Sequence, residues 1–382
     1  MNRIEKLLQK LCPDGVEFKA LGEVCDALPK GTLKQQQLQN EGYPVINSGR
    51  ELYGYYSQFN NEGNAIVITS HGAYAGFTHY LQGKFWAGGL CYPYRSKNEN
   101  ELLTKFIFYY CKDKNKIIKS FVAEGSIPYI NKSLLDKLKI PIPPLEIQKE
   151  IVLILDAFTE LQAELQAELQ ARQKQYEHYR ERLLSFDELE KRAEGYGVKM
   201  MSLGEVCEKI LAGGDLPRKY IKEKEPTKEF IYPIYSNGTD LNSLYGYCDT
   251  YKIDKDCVTI SARGTIGYHT PRKAKFTPIV RLITLIPNEN LANYKFLHYA
   301  LFITNIENTG TKSGIPQLTV PNVQKIKIPI PPLKVQNEVV EILDKFDALV
   351  NDISQGLPAE MALRKKQYEH YREKLLSFKE KA

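Results

Sequence analysis

IPIPPLEIQKEIVLILDAF, residues Ile140 to Phe158, returns as IPIPPLKVQNEVVEILDKF, residues Ile328 to Phe346, with 13 of 19 positions identical. Further on, KQYEHYRERLLSF (Lys174 to Phe186) returns as KQYEHYREKLLSF (Lys366 to Phe378), differing at one position. A weaker pair, ALGEVCDAL at Ala20 to Leu28 and SLGEVCEKI at Ser202 to Ile210, marks the start of each copy. The chain is a tandem duplication, and each unit runs globular segment, Pro-rich hinge, long helix. This division places a first globular domain at 1–143, a helical region at 144–186, a second globular domain at 187–331 and a second helical region at 332–382.

The IPIPP hinge cannot be helical, because successive prolines lack amide donors and push their predecessors into extended geometry. A proline in the first turn is tolerated, so Pro144 and Pro332 can open helices. Beyond them the apolar register runs Ile151, Leu155, Phe158, Leu161, Leu165, Leu169, then Arg172 as an interruption, and Tyr176, Tyr179, Leu183, Phe186. The mean step is about 3.5 residues, the coiled-coil repeat. Roughly 40 helical residues at ~1.5 Å each make a rod of about 60 Å that needs a partner to bury its stripe. The second copy offers one with Val335, Val339, Ile342, Phe346, Leu349 and Ile353, then Tyr368, Tyr371, Leu375 and Phe378. Gly356 to Pro358 should interrupt it. The connectivity is met by an antiparallel coiled coil between two similar domains related by an approximate twofold axis.

The globular segments carry short β-branched runs broken by glycine or asparagine, such as Asn64 to Gly89 and Asp256 to Pro271, which read as strands and turns. Helical spacing recurs at Leu102 to Phe121 and Asn293 to Asn305. The fold class is therefore α+β, with a sheet dominating each domain.

Of 382 residues, 52 are Lys or Arg and 46 Asp or Glu, a formal charge of +6. The excess lies in the globular parts: Met1 to Lys139 holds 18 cations against 13 carboxylates, and Asp187 to Lys327 holds 20 against 16. That bias suits a phosphate-binding surface and is also common on solvated ones. No window approaches 18 consecutive apolar residues, so neither a membrane span nor a signal-peptide core is expected, and the composition fits a soluble cytoplasmic protein. Seven scattered cysteines form no CxxC pair; they read as small buried hydrophobes.

Catalytic signatures are missing: there is no GxxxxGK[ST], GxGxxG, HExxH or GxSxG, and no NPPY-like tetrapeptide of an amino-methyltransferase. His178 and His370, at matching places in YEHYR, have no second ligand at i+4 and are expected to pack at the helix interface. Elimination leaves a binding protein. Two diverged domains on a rigid rod suit an extended, repetitive ligand, and duplex DNA, whose half-sites recur at helical spacing, fits best. A protein-binding scaffold that ignores DNA is the alternative; a self-sufficient nuclease or methyltransferase lacks its motifs.

The order of LCPDGVEFKALGEV, domain, IPIPPLEIQKEIV, second domain and KQYEHYREKLLSF resembles the specificity subunits of type I restriction-modification systems over essentially the whole chain. The resemblance implies two target-recognition domains and no catalytic activity or cofactor of the chain's own. It implies an asymmetric bipartite site on double-stranded DNA, two half-sites around an unspecified spacer of fixed length. The implied partners are two methyltransferase subunits using S-adenosylmethionine, and restriction subunits using ATP and Mg. In such proteins, four-residue repeats like ELQAELQAELQA (Glu160 to Ala171) are understood to set the spacer. Four helical residues add ~400° of winding, a net ~40°, close to the roughly 35° turn of one base pair. The ~6 Å rise matches a base pair's ~3.4 Å less well.

Base-edge readers should be polar side chains on glycine-bounded loops, with phosphates met by Lys, Arg and Tyr. The first domain offers Asn47, Ser48 and Arg50 in INSGRELYGYY, Ser70, His71 and Tyr74 in TSHGAYAG, and Ser126, Tyr129 and Lys132 in EGSIPYINK. The second offers Ser236 and Asn237 in YSNGTDLNS, Arg263 and Thr265 in SARGTIG, and Lys312, Ser313 and Gln317 in TKSGIPQLT. Gly72 and Gly264 stand at matching points where positive φ would be useful.

Overall fold

A computed structural model describes residues 3–123, 127–304, 306, 317–352 and 354–381. It divides into two compact units, one of residues 1–166 with 360–382, the other of residues 167–359. Each unit takes one globular segment and parts of both helical regions.

In the first unit the central strand Ala65–Thr69 is buried at every position, as a continuous apolar run between turns should be. It lies in an antiparallel four-stranded sheet ordered Cys25–Ala27, Cys91–Ser96, Ala65–Thr69, Thr78–Leu81. A three-stranded sheet follows, with Tyr43–Ile46 between Gly54–Tyr56 and Trp86–Ala87. Helices Thr104–Asp113 and Asn115–Ser120 supply Phe106, Ile107, Cys111 and Ile118 to the core beside Ile66 and Ile68.

The second unit repeats the plan. Its four-stranded sheet is ordered Cys207–Ala212, Leu282–Pro287, Cys257–Ser261, His269–Arg272, and Cys257–Ser261 is again wholly buried. Tyr220–Ile221, Leu244–Cys248, Tyr232–Tyr235 and Thr277–Pro278 form the companion sheet. Helix Tyr294–Leu301 covers the first sheet through Phe296 and Leu297.

The proline hinge is a strand in both copies. Lys139–Ile142 pairs antiparallel with Glu17–Ala20, and Lys327–Ile330 with Lys199–Ser202. Two-stranded ribbons have free edges on both sides, so proline costs no ladder bond there. The LGEV repeat is the turn that follows. Leu21 and Leu203 are fully buried, and Glu23 and Glu205 accept the backbone N–H of Ala20 and Ser202 at 3.2 and 2.7 Å.

The long helix is Leu145–Leu184, 40 residues. Ile151, Leu155, Leu165, Tyr176 and Leu183 of the expected stripe are buried, whereas Phe186 is exposed and opens a separate short helix, Phe186–Arg192. The second helical region is broken as expected, into Leu333–Asn351 and Leu357–Leu375. A side chain at Gly356 would collide with the carbonyls of Ala348 and Leu349, so the break needs glycine. In the first unit Phe158 stacks on Tyr371 at 5.6 Å, while Gln162 and Leu165 share a groove with Met361 and Ala362. Numbers rise along one helix as they fall along the other, which is the antiparallel pairing. In the second unit Tyr179 stacks on Phe346 at 5.4 Å. Ile353 lies outside the described residues.

One buried glutamine locks each rod segment to its globular part. Gln148 donates to the carbonyls of Glu101 and Pro143 at 2.8 and 2.7 Å and accepts from Leu103 N–H at 2.8 Å. Gln336 donates to Leu291 and Pro331, both at 2.8 Å, and accepts from Asn293 N–H at 2.9 Å.

The expectation for His178 and His370 needs correcting. Both are exposed, each edge-on to the tyrosine beside it, because the burying stripe passes through Tyr176 and Tyr368. Six of the seven free cysteines are buried and Cys12 is partly so. Burial pushes the thiols of Cys25, Cys91, Cys207 and Cys257 up to about 12, as inert packing residues. Among the described residues no helix is long and apolar enough to cross a membrane.

Candidate nucleic-acid interface

In each unit a loop joins the wholly buried strand, Ala65–Thr69 or Cys257–Ser261, to the edge strand beside it. In the first unit this loop follows Thr69. Gly72 and Gly76 adopt φ of 85° and 91°; in the second, Gly264 and Gly267 adopt 77° and 84°. These are left-handed conformations that L side chains avoid, so SHGAYAG and ARGTIG form one type of loop with different side chains.

In the first unit a second segment seals the loop. Ile130 N–H donates to the Ser70 carbonyl at 2.8 Å and Gly72 N–H to Pro128 at 2.9 Å, which brings His71 and Tyr129 together with ring centroids 6.0 Å apart. Ser70 is fully buried with its hydroxyl 2.8 Å from His71 Nδ1, so it orients the imidazole from below. Tyr74 and Tyr129 are each 44% exposed, large aromatic faces open to solvent. The Arg50 guanidinium lies 5.0 Å from the Tyr74 ring and 5.8 Å from Phe77. Its loop is fastened to the sheet by the Gly49 carbonyl, 3.0 Å from His79 Nε2. Asn47 takes a structural bond, its Oδ1 accepting Leu90 N–H at 3.0 Å, and Ser48 is half-buried beside it. Lys132 is exposed and pairs with Asp136 at 2.7 Å. Ser126 lies outside the described residues.

In the second unit Leu318 N–H donates to Ala262 at 2.9 Å, the counterpart of the Ile130 bond, and draws exposed Gln317 to the same loop. Asn237 braces the loop backbone: Nδ2 donates to the Arg263 carbonyl, and Oδ1 accepts Arg263 N–H at 3.4 Å. The Arg263 side chain is half-buried and makes no ion pair among the described residues. Thr265 is exposed at the loop tip, and Ser236 is half-buried with its N–H donating to Ser243 at 2.8 Å. Lys312 and Ser313 lie outside the described residues. The loops thus gather Ser70, His71, Tyr74, Arg50 and Tyr129 in one unit, and Asn237, Arg263, Thr265 and Gln317 in the other.

Two features gave no sequence signal. Beneath the second unit's loop, His269 Nδ1 and His298 Nδ1 face each other at 2.9 Å with the rings 4.8 Å apart. Burial, reinforced by Arg180, lowers His269 to about 4; burial, His269 and Arg180 hold His298 well below its ordinary value. Arg180 itself lies 4.0 Å over Phe302. The corresponding cation of the first unit, Arg372, instead meets a carboxylate, Asp113, at 3.3 Å. The second feature is a cleft of about 780 Å³ beside the first unit's loop, lined by Arg50, Tyr74, Lys112, Lys116, Lys119 and Arg372 among others. Among the described residues no three His, Cys, Asp or Glu side chains are grouped to hold a metal ion.

Residues 13–172 and 196–362 match the family described as type I restriction modification DNA specificity domain. The chain is 35% identical over 338 residues to a type I specificity subunit of Mycoplasma pneumoniae, covering 85% of this chain and 97% of that one. It is 32% identical to the EcoR124I/EcoR124II specificity subunit of Escherichia coli, over 99% of this chain and 97% of the relative. The fold is similar to the crystal structure of the type I S subunit from M. genitalium, with a TM-score of 0.68 and 22% identity over 95% of this chain and 96% of that one. Two matched segments, two units built to one plan and whole-length relatives agree: the chain belongs to the type I restriction-modification DNA specificity family.

Proposed function

We propose that this chain selects the DNA at which a type I restriction-modification assembly acts, each unit reading one short half-site across a spacer that neither reads. The observation carrying this is the pair of equivalent glycine-bent loops on matching sheets that present unlike side chains, His71 stacked on Tyr129 against Arg263, which makes no ion pair among the described residues. Arginine is the commonest reader of guanine through O6 and N7, whereas an imidazole over a phenol offers stacking and one or two hydrogen bonds. The halves therefore prefer different bases.

The chain performs no catalytic step. Two methyltransferase subunits with S-adenosylmethionine, and restriction subunits with ATP and Mg, supply the chemistry in this reading. The repeated YEHYR faces, alike right round the helix, would accept the two copies of one partner. Duplex binding measured against salt tests the reading. A steep loss of affinity as salt rises is expected, and salt-insensitive or absent binding would favour a protein scaffold instead.

A further inference from the structure

The cleft beside the first unit's loop is chemically one-sided. Its lining holds Arg50, Lys112, Lys114, Lys116, Lys119 and Arg372 against Asp113, Glu369 and Glu373. Asp113 answers two of the cations, Lys114 at 2.9 Å and Arg372 at 3.3 Å. Among the described residues Arg50, Lys112, Lys116 and Lys119 have no ion pair. Lys112 is the most enclosed of the four, and its ammonium lies 5.5 Å from the Phe108 ring and 5.6 Å from Tyr368. Burial and then Arg372 lower its pKa, so an anion in the cleft would offset a cost the fold now carries.

The cleft is tied to the reading loop. Asn115 donates to the Gly76 carbonyl at 2.8 Å, fixing the helix that carries Lys116 and Lys119 against the loop that carries His71 and Tyr74. The second unit has a cleft at the equivalent place, of about 460 Å³, between Thr265–His269 and Leu301–Ile306. Its described lining contains neither Lys nor Arg nor carboxylate.

We propose that the first unit's cleft is a phosphodiester site, in which Lys116 and Lys119 at the rim and Lys112 and Arg50 within grip a backbone phosphate of the duplex while the adjoining loop meets the bases. The site rests on the DNA-specificity reading and adds to it a backbone anchor beside the first unit's loop. A phosphate contact fixes register without reading sequence.

The test uses the full chain, a fluorescent duplex bearing its methylation site and an unrelated duplex. The paired substitution Lys116→Gln with Lys119→Gln alters exposed side chains only. The slope of log affinity against log salt should fall by about 1–2, at ~0.9 per phosphate, with equal losses on both duplexes. A control pair, Lys6→Gln with Lys10→Gln on the opening helix, should leave the slope nearly unchanged. Neutral methylphosphonates placed one at a time along the duplex should weaken the unsubstituted chain at one or two positions and the cleft variant at neither.

Three results would overturn the site: an unchanged slope, a loss confined to the cognate duplex, or impaired assembly with the methyltransferase while the slope stays normal. The last would point to an acidic protein surface as the occupant. If the unsubstituted chain shows no salt-dependent duplex binding, the DNA-specificity reading itself falls, and the site with it.

Discussion

Tyr109 donates its hydroxyl to Asp156 at 2.5 Å, and at the equivalent point of the second repeat Tyr299 donates to Asp344 at 2.8 Å. Lys105 and Lys295 bind the second oxygens of the same two carboxylates. With Gln148 and Gln336 about two turns earlier on the rods, these contacts explain why the LDAF and LDKF segments diverge so little. Each rod segment docks on its own globular core through the same polar set, buried at Gln148, Gln336, Tyr109 and Tyr299 and half-buried at the Lys–Asp pairs, and such a set tolerates few exchanges.

Replacing Gln148 by Ala should cost about 2–4 kcal/mol, because it strands the Leu103 amide and two carbonyls around a buried side chain. Gln336→Ala should cost a similar amount. Urea unfolding of the full chain measures both. A change below ~0.5 kcal/mol would mean water substitutes for the carboxamide.

His269 and His298 make the second unit acid-sensitive. Both rings are neutral when folded, whereas the unfolded chain protonates near the ordinary histidine value. Their contribution is therefore complete above about pH 7 and drains away as pH falls from ~6.5 towards about 4. For His269 alone the loss should be on the order of 3 kcal/mol. His269→Thr with His298→Phe installs the residues that the first unit carries at these points, Thr78 and Phe108. Stability curves from pH 4 to pH 8 should then flatten over that window in the double variant.

Much of this architecture is legible in the chain because duplication supplies an internal control. The register from Ile151 to Leu183 names the buried stripe, and the strand runs at Ala65 and Cys257 are apolar enough to be recognised. The hinge carries no strand signal of its own, since prolines suggest a linker until the partner at Glu17–Ala20 is known. The site was legible as loops and only partly as residues. Gly72 and Gly264 announce their positive φ, but nothing local says that Asn47 and Asn237 face inward to brace backbone while Tyr74 faces out. The Lys112 to Lys119 run reads as a solvated helix face, and its role depends on a loop some forty residues earlier. The His269–His298 pair joins a strand to a helix, a relation that spacing does not encode.

Arg263→Ala should relax base preference in one half-site and leave the other intact, at about 1–3 kcal/mol of discrimination. His71→Ala should do the same in the opposite half. Selection from a randomised duplex pool, read for each half separately, distinguishes this from a uniform loss of affinity.

The ELQA repeats lie within one uninterrupted helix, Leu145–Leu184. Deleting four residues removes ~6 Å and ~400° of it, so the recognised spacer should shorten by one base pair while both half-sites stay as they were. Methylome sequencing of a strain carrying the shortened chain reads the spacer directly.

The claim that each globular segment reads its own half-site is tested most directly by exchanging residues 187–331 for the corresponding segment of another family member and mapping methylation genome-wide. The expected outcome is a site with one half replaced, the other half unchanged and the spacer length kept. Replacement of both halves, or of neither, would contradict it.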